Sequence, residues 1–307
     1  MSRAREFADL ASSADAGGIT GKNLIINGAM QVAQRGTSFS SISSDQYTLD
    51  RFIAFHTSVT PTITQESLSV GQTDLPSSFR NYLRFAAGTG AAILGFGTRI
   101  EDVSKYYGTY KLSFYAKGTN PAGGSFQQRM IQRFGTGGSS QVITDNGTFT
   151  VTSSWQRFEI DVTVPSVSGK TIGTGSYLQM QFNQPSTDSG TSAWTLDITG
   201  VQLEVGSQAT PFEHRSYGDE LARCQRYYQE FRTGRTFYIS GIQTLRWNDQ
   251  YLVTPRATPS ITKTDHTASP VALTIANIYE TAVEGQVTST ATGYHTVRAT
   301  YHVDAEL

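Results

Sequence analysis

Cysteine is almost absent from this chain. Its 307 residues contain a single one, Cys224. One cysteine excludes an intramolecular disulfide and argues against a cysteine-based zinc site. The histidines are also few and lack metal-ligand spacing: His56, His214, His266, His295 and His302. We therefore predict neither a metal nor a cofactor.

Charge is scarce and balanced. The chain has 24 basic and 25 acidic residues, with a net charge of −1, so no basic field attracts nucleic acid or an anionic membrane. No apolar run approaches the roughly 18 residues of a membrane span, and the first ten residues lack the apolar core of a secretory signal. We expect a protein made in the cytoplasm that binds no nucleic acid and inserts into no membrane.

Catalytic signatures are missing as well. The Gly169-Lys170-Thr171 tripeptide resembles the end of a phosphate loop, but Val164 stands where the first glycine is required, so a turn is predicted. Cys224 falls on an apolar stripe, so it is expected to be a buried, inert thiol and not a nucleophile activated by a histidine. Acidic residues on predicted strands could serve glycoside hydrolysis, but nothing singles out a pair: Glu159, Asp161, Asp197 and Glu204. We predict no catalytic residues and no enzyme activity.

Period-two runs of β-branched and aromatic residues dominate what remains. Clusters of Gly, Asn, Asp, Pro and Ser separate them, and they give about nine or ten strands between residues 23 and 205, the number found in a two-sheet sandwich. The predicted strands lie within 23–26, 47–55, 81–87, 91–96, 110–117, 126–134, 147–152, 155–164, 177–182 and 194–205. The fold class predicted is all-β: a jelly-roll β-sandwich, a short helical linker and a small C-terminal β domain.

The strand from Trp194 to Val205 changes phase. Leu196 and Ile198 share one parity, whereas Val201, Leu203 and Val205 share the other. A β-bulge at Gly200 would place both sets on the core face.

A helix is predicted next, over residues 216–233. Ser216 and Asp219 resemble a capping box, and an apolar stripe follows at spacings of three and four: Leu221, Cys224, Tyr228 and Phe231. The stripe is interpreted as an oligomer interface at a multi-chain junction. The alternative is a helix packed on its own sandwich.

The two ends of the chain differ from the sandwich. Residues 234–307 carry about six candidate strands, including Tyr251–Thr254 and a cleanly alternating run from His295 to Val303. So small a core favours pairing with other copies, so this segment is interpreted as a trimerising β tip. Residues 1–21 could form a short helix with Phe7 and Leu10 on one face. That segment is either a frayed end or a peptide that attaches to a virion partner.

Aromatic residues exceed the needs of the core, with 15 Tyr, 16 Phe and 3 Trp. A sugar ring stacks its apolar face on an aromatic ring, so exposed aromatics on a sandwich suit glycan binding. Tyr106 and Tyr107, in a predicted loop, and Trp247 are the candidates. Core packing is the alternative role of each.

Several motifs together resemble a bacteriophage tail-fibre family. They are Asn23–Gly36, Tyr47–Arg51, Thr199–Gly206 and Pro211–Tyr228. The resemblance implies a virion protein, usually trimeric, that projects toward the host surface.

Residues 23–206 also resemble a carbohydrate-binding-module jelly roll, and the predicted jelly-roll domain spans residues 22–215. Asn27-Gly28 matches the opening of such modules, but Ala29 and Gln31 replace acids that are typical there. Asp197 matches the acid of the closing strand, which can be a calcium ligand. The departure at the opening leaves calcium binding near Asp197 open, and no site is claimed.

The prediction is therefore a phage tail fibre, located in the virion, that binds a host-surface glycan without cleaving it. A homotrimer would attach to other tail or connector proteins through its N-terminus. The alternatives are a head fibre or decoration protein bound to the capsid or connector, a polysaccharide depolymerase and, outside viruses, a secreted lectin.

Overall fold

The computed structural model describes residues 21–57, 60–69, 71–76, 78–90, 94–184, 192–266, 272–289 and 291–307. The chain divides into two compact units, one ending at Tyr217 and the other spanning Gly218–Glu306. The predicted attachment residues Phe7 and Leu10 lie outside the described ranges. Within those ranges, no helix is long and apolar enough to cross a membrane.

The first unit is an antiparallel sandwich. Its strands are β1 (Ser38–Phe39), β2 (Gln46–Tyr47), β3 (Phe52–His56), β4 (Thr62–Ser67), β5 (Asn81–Ala87), β6 (Leu94–Glu101), β7 (Gly108–Thr119), β8 (Phe126–Arg133), β9 (Val142–Phe149), β10 (Gln156–Val164), β11 (Tyr177–Asn183) and β12 (Trp194–Val205). Sheet A has the order β1-β4-β5-β12-β7-β10, and sheet B has the order β2-β3-β6-β11-β8-β9. From β5 onward the chain crosses between the sheets at every step except β8 to β9. This connectivity confirms the predicted all-β jelly roll.

Aromatic rings fill the space between the sheets. Phe85 of sheet A stacks on Trp194 with ring centroids 5.1 Å apart and on Phe96 of sheet B at 5.4 Å. Phe114 of sheet A meets Phe182 of sheet B edge-on at 4.8 Å. These rings join the two sheets into one core.

Strand β12 contains the predicted bulge. Its register against β7 shifts between Thr199 and Gln202, and Gly200 has a φ of 64°. A Cβ at this position would lie 2.7 Å from the Phe79 ring, so both the backbone and the packing require glycine. The shift keeps four residues in the same core: Leu196, Ile198, Val201 and Leu203. The prediction was wrong for Val205, which ends the strand and is 77% exposed.

Asn27, in the first tail-fibre-like motif, is a structural residue. It has a φ of 60° and is fully buried. Its side-chain amide donates to the carbonyls of Val32 and Asp50, at 2.8 and 2.9 Å, and its side-chain oxygen accepts from the Val32 N–H. The motif therefore holds the opening loop against the turn before β3. No strand forms over the predicted 23–26 segment, where Leu24 donates one backbone hydrogen bond to Leu203.

The segment after β12 returns to the start of the first unit. The buried carboxylate of Glu213 accepts from the N–H groups of Gly21 and Asn23, at 2.6 and 2.8 Å. Arg215 pairs with Glu213 at 3.2 Å and donates to the carbonyl of Ile25. Burial raises the pKa of Glu213, but the two N–H donors and the charge of Arg215 outweigh it, so the pKa is lowered overall.

The second unit contains one helix and two small sheets. They are formed by α1 (Tyr217–Gln225, which begins one residue before the unit), β13 (Tyr228–Ile239), β14 (Gln243–Gln250), β15 (Ser260–Asp265), β16 (Thr274–Ile278), β17 (Ala282–Ser289) and β18 (Gly293–Asp304). The sheet orders are β13-β18-β15 and β14-β17-β16. The predicted alternation of the last strand is confirmed, because Val297, Ala299, Tyr301 and Val303 all lie in the core.

The helix is shorter than predicted. It begins beside Ser216, as expected, but it ends at Gln225, and Tyr228 and Phe231 lie on β13. Twelve residues of β13 pair with β18, and this long-range pairing overrides the local helical spacing.

The predicted interface stripe is therefore not one helical face. Cys224 and Tyr228 are buried within the chain, at 1% and 7% exposure, so other parts of the same chain already cover them. Phe231 packs on Tyr301 in the core of the second unit, with ring centroids 5.5 Å apart. Of the four residues, half-buried Leu221 remains the candidate for contact with another chain.

Other differences concern strands. The predicted strand Tyr251–Thr254 is irregular, whereas β4 and β17 were not predicted. Strand β4 shows no apolar alternation because Gln65 and Ser67 share the parity of its one core residue, Ile63, and β17 carries Gly285 at a position where an added Cβ would lie 2.9 Å from the Trp247 ring.

Candidate functional site

The outward face of sheet B carries a patterned set of polar side chains. Strand β11 lies between β6 and β8, and its residues Leu178, Met180 and Phe182 point into the core. The alternate residues therefore point outward. Across the three strands they form the rows Glu101-Tyr177-Arg133, Arg99-Gln179-Ile131, Gly97-Gln181-Arg129 and Gly95-Asn183-Gln127.

Amide groups run along the centre of this face. Gln179 and Gln181 make no hydrogen bond to any described residue, and their polar atoms are not among the buried unsatisfied ones. Asn183 donates to Gln127 at 3.3 Å, while its own side-chain oxygen is buried without a partner in the described ranges. An amide offers both donors and an acceptor. Gln179, Gln181 and Asn183 are 2%, 8% and 4% exposed, however, so this part of the face is largely covered.

Two arginines on this face are paired with acids. Arg129 donates two hydrogen bonds to the carboxylate of Asp145 on β9, at 2.5 and 3.1 Å. Arg99 pairs with Asp45 at 3.1 Å, and its guanidinium lies 4.8 Å from the ring centroid of Tyr177. This cation–π contact holds the Tyr177 ring in place.

A pocket of about 520 Å³ opens at the Tyr177 end of the face. Two loops, 134–141 and 174–176, enclose it, and Tyr177 and Arg133 line it from the sheet. Gly135 has a φ of 78°, and a Cβ there would lie 2.4 Å from the Thr174 carbonyl oxygen, so glycine allows the loops to approach. The remaining wall is rich in hydroxyl groups. We call this space the Tyr177 pocket.

The predicted glycan-binding aromatics do not line this pocket. Tyr106 and Tyr107 lie in a loop, as predicted, at the same end of sheet B, because the Asp102 N–H donates to the carbonyl of Ser176. Tyr106 packs against the sandwich core, and burial raises its pKa. Tyr107 is 59% exposed.

Trp247 belongs to the second unit and packs against its core. Its ring contacts Phe237 at a centroid distance of 6.0 Å, and its indole N–H donates to Asp249 at 2.9 Å. Core packing, the alternative weighed for this residue, is the role that the structure gives it.

Asp197, the residue matched to a calcium ligand, is committed to Arg84. Nε and Nη2 of Arg84 donate to its two carboxylate oxygens at 2.7 and 2.8 Å. The Asp197 side chain is 3% exposed. A cation would have to displace the guanidinium, so the residues present do not fit a calcium site. Across the described ranges, no group of three or more His, Cys, Asp or Glu side chains is placed to hold a metal.

The second unit contains a row of hydrogen-bonded polar side chains. Glu230 contacts Nδ1 of His302 at 2.8 Å, and Nε2 of His302 contacts the Thr264 hydroxyl at 3.0 Å. The Tyr228 hydroxyl also donates to Glu230. The order carboxylate, imidazole, hydroxyl is that of a nucleophilic triad. The sequence did not suggest it, because β13, β15 and β18 bring these residues together from distant positions.

Sequence reasoning also missed Tyr177 and Arg133. The available signal was the pattern Tyr177-Leu-Gln-Met-Gln-Phe-Asn183, in which polar residues alternate with large apolar ones. Such alternation indicates a strand with one outward polar face. The meeting with Arg133 depends on the pairing of β11 with β8.

Comparisons with known proteins give only distant structural neighbours. No protein-family model matches the chain, and a search of characterised proteins finds no match either. The enzymatically active domain of tailspike protein 4 from bacteriophage CBA120 is similar over 60% of this chain and 21% of its own, at 16% identity and a TM-score of 0.36.

Two further neighbours cover nearly their whole length. A protein from Bacteroides thetaiotaomicron that is named for sugar binding is 14% identical over 59% of this chain and 99% of its own, with a TM-score of 0.36. The xylan-binding domain CBM22-1 from Paenibacillus barcinonensis is 13% identical over 62% and 97%, with a TM-score of 0.34.

Proposed function

We propose that this protein binds a glycan through the Tyr177 pocket of sheet B. The observation that carries the proposal is the set of polar groups that line this pocket. The Tyr177 hydroxyl has no hydrogen bond to a described residue, and the lining also includes four hydroxyl side chains and one amide: Thr136, Ser139, Ser140, Thr174 and Gln141. Sugars present many hydroxyls that both donate and accept, which hydroxyl and amide groups match.

The shape of the face supports the same ligand class. Tyr177 offers an aromatic edge to the pocket. Farther along β11, Gln181 and Asn183 are 8% and 4% exposed, and the Phe55 ring lies over Gly95, so the ligand contacts are confined to the Tyr177 end. A sugar residue in the pocket gains hydrogen bonds from its wall within a concave site.

The test is a glycan array screened with the full chain, followed by calorimetry with the best ligand. We expect Tyr177→Ala to weaken binding about tenfold, as loss of one or two hydrogen bonds implies. Tyr107→Ala is the matched control, because Tyr107 is an exposed tyrosine at the same end of the sheet. Loss of binding in the control but not in Tyr177→Ala would place the site elsewhere, and binding to no glycan would refute the proposal.

We propose, more specifically, that the protein is a bacteriophage tail fibre that acts as a homotrimer at the virion surface. The motifs within residues 23–228 that resemble tail-fibre proteins support this role. Residues 1–21 would attach to other tail or connector proteins. Three weak sites, each with a dissociation constant of about 1 mM, gain avidity when they bind to one surface.

Two measurements address the tail-fibre proposal. Light scattering after size-exclusion chromatography is expected to give three times the mass of the 33.4 kDa chain. Labelled antibodies on intact particles are expected to mark the tail in electron micrographs. A label confined to the head would instead favour the head-fibre or decoration alternative.

We propose that binding occurs without cleavage. On the pocket face, Asp45 and Asp145 are both held by arginines, which leaves no adjacent pair of free carboxylates there in the described ranges. The Glu230-His302-Thr264 chain is the arrangement most relevant to hydrolysis. Incubation with the bound polysaccharide is expected to release neither reducing ends nor acyl groups. Product that disappears in His302→Gln would overturn this part of the proposal.

A further inference from the structure

Arg133 is the unpaired arginine of the pocket face. It lies on β8 opposite Tyr177, and no hydrogen bond, ion pair or ring contact joins it to any residue in the described part of the chain. Its Nε is buried and has no partner there. Arg99 and Arg129 on the same face both pair with carboxylates, so Arg133 differs from its neighbouring arginines.

The surroundings of Arg133 contain no compensating acid. Arg133 is the one charged residue that lines the Tyr177 pocket, whose other lining residues are hydroxyl, amide, glycine and aromatic. Glu101 shares its row but lies on the far side of Tyr177, two strand spacings or about 10 Å away. A half-buried guanidinium without a partner favours an anion.

We propose that the Tyr177 pocket selects an acidic sugar, with the ligand carboxylate bound by Arg133. This inference rests on the proposed glycan-binding function and adds the class of ligand. A carboxylate accepts two parallel hydrogen bonds from one guanidinium. The pyranose ring of a uronic acid or a sialic acid would then contact Tyr177, and its hydroxyls would reach the hydroxyl groups of loops 134–141 and 174–176. A neutral sugar would leave Arg133 unpaired.

The experiment compares glycans that differ only in an acidic group. Suitable pairs are polygalacturonate and its methyl ester, a glucuronate-containing oligosaccharide and its carboxyl-reduced form, and sialyllactose and lactose. Calorimetry with the full chain is expected to show that the acidic member of at least one pair binds about 10- to 100-fold more tightly. Added salt is expected to reduce this preference through screening.

Three variants test whether Arg133 causes the preference for the acidic glycan. Arg133→Gln is expected to remove the preference, so that the acidic and the neutral member of the pair bind with equal affinity. Arg133→Lys keeps the charge but not the bidentate geometry, so it is expected to retain part of the preference. Lys170→Gln is the matched control. It removes a positive charge that packs on Phe134 at the pocket wall, and it is expected to keep the full preference.

The outcomes separate this inference from the proposed function. If both members of every pair bind equally well, the acidic-sugar inference is overturned and glycan binding stands. A preference that persists in Arg133→Gln, or that disappears in Lys170→Gln alone, also overturns it. Binding to no glycan at all removes the proposed function and the inference with it.

Discussion

Arg84 and Asp197 form a two-point ion pair across neighbouring strands of sheet A. They face each other in the register of β5 and β12, and the Asp197 side chain is 3% exposed whereas that of Arg84 is 42% exposed. Hydrogen bonding to Asp197 raises the pKa of Arg84. The buried Asp197 carboxylate depends on the more exposed Arg84 for these hydrogen bonds, so loss of Arg84 is expected to destabilise the fold.

Arg84→Ala is expected to lower the free energy of unfolding by about 1–3 kcal/mol, because it leaves a buried carboxylate without donors. Chemical denaturation measures the change. Lys111→Ala is the control, since its partner Asp161 is 74% exposed and stays hydrated, so a loss below about 1 kcal/mol is expected. Equal losses in the two variants would contradict the asymmetry.

Gly200→Ala is expected to destabilise the sandwich by about 2 kcal/mol or more. The left-handed conformation alone costs about 1–2 kcal/mol for a residue with a Cβ, and the added atom would also press on the Phe79 ring. Gly169→Ala provides the backbone cost by itself, because Gly169 has a φ of 73° and open space around it. The difference between the two losses of unfolding free energy measures the cost of the contact with Phe79. Equal losses would show that this contact costs nothing.

Glu213 is expected to make the first unit acid-sensitive. Its pKa is lowered in the folded chain, so its contribution is fully present above the unfolded value, near 4.3, and is lost as the pH falls through the folded value. Glu213→Gln is expected to be less stable than the parent at pH 7 and to show a flatter loss of stability below about pH 4.5. Denaturation midpoints at several pH values measure this. Glu159→Gln, at a more exposed ion pair, is expected to keep the parent profile.

Trp247→Ala is expected to lower stability and leave glycan affinity unchanged. Loss of its contacts with the core and Phe237 is expected to cost about 2 kcal/mol or more in the second unit. Tyr294→Ala is the control, because Tyr294 is 82% exposed and an exposed substitution costs about 0.5 kcal/mol or less. A normal melting curve with reduced glycan binding would contradict this prediction and show that Trp247 contributes to glycan binding.

Leu221→Asp is expected to reduce the proposed trimer to smaller species, because it places a charge on the half-buried position of the helix. Ala222→Asp, at the exposed neighbouring position, is expected to leave the mass unchanged. Light scattering gives the mass. The buried thiol of Cys224 reports folding, since it is expected to react with a thiol reagent only after unfolding. A folded Leu221→Asp chain of full trimeric mass would contradict the interface.

The sequence by itself determined the features whose physics is local. Period-two alternation predicted most strands of the sandwich, the phase change around Gly200 predicted the bulge, and Ser216 marked the start of the helix. Side-chain spacing and turn chemistry carry this information within a few residues.

Only the tertiary structure decided which residues meet. Pairing of β13 with β18 ended the helix at Gln225 and placed Phe231 against the core of the second unit, although its spacing suited a helix. Pairing of β11 with β8 put Tyr177 beside Arg133, which are 44 positions apart in the chain. Strand register is set by the whole set of long-range contacts, so no local pattern specifies such neighbours.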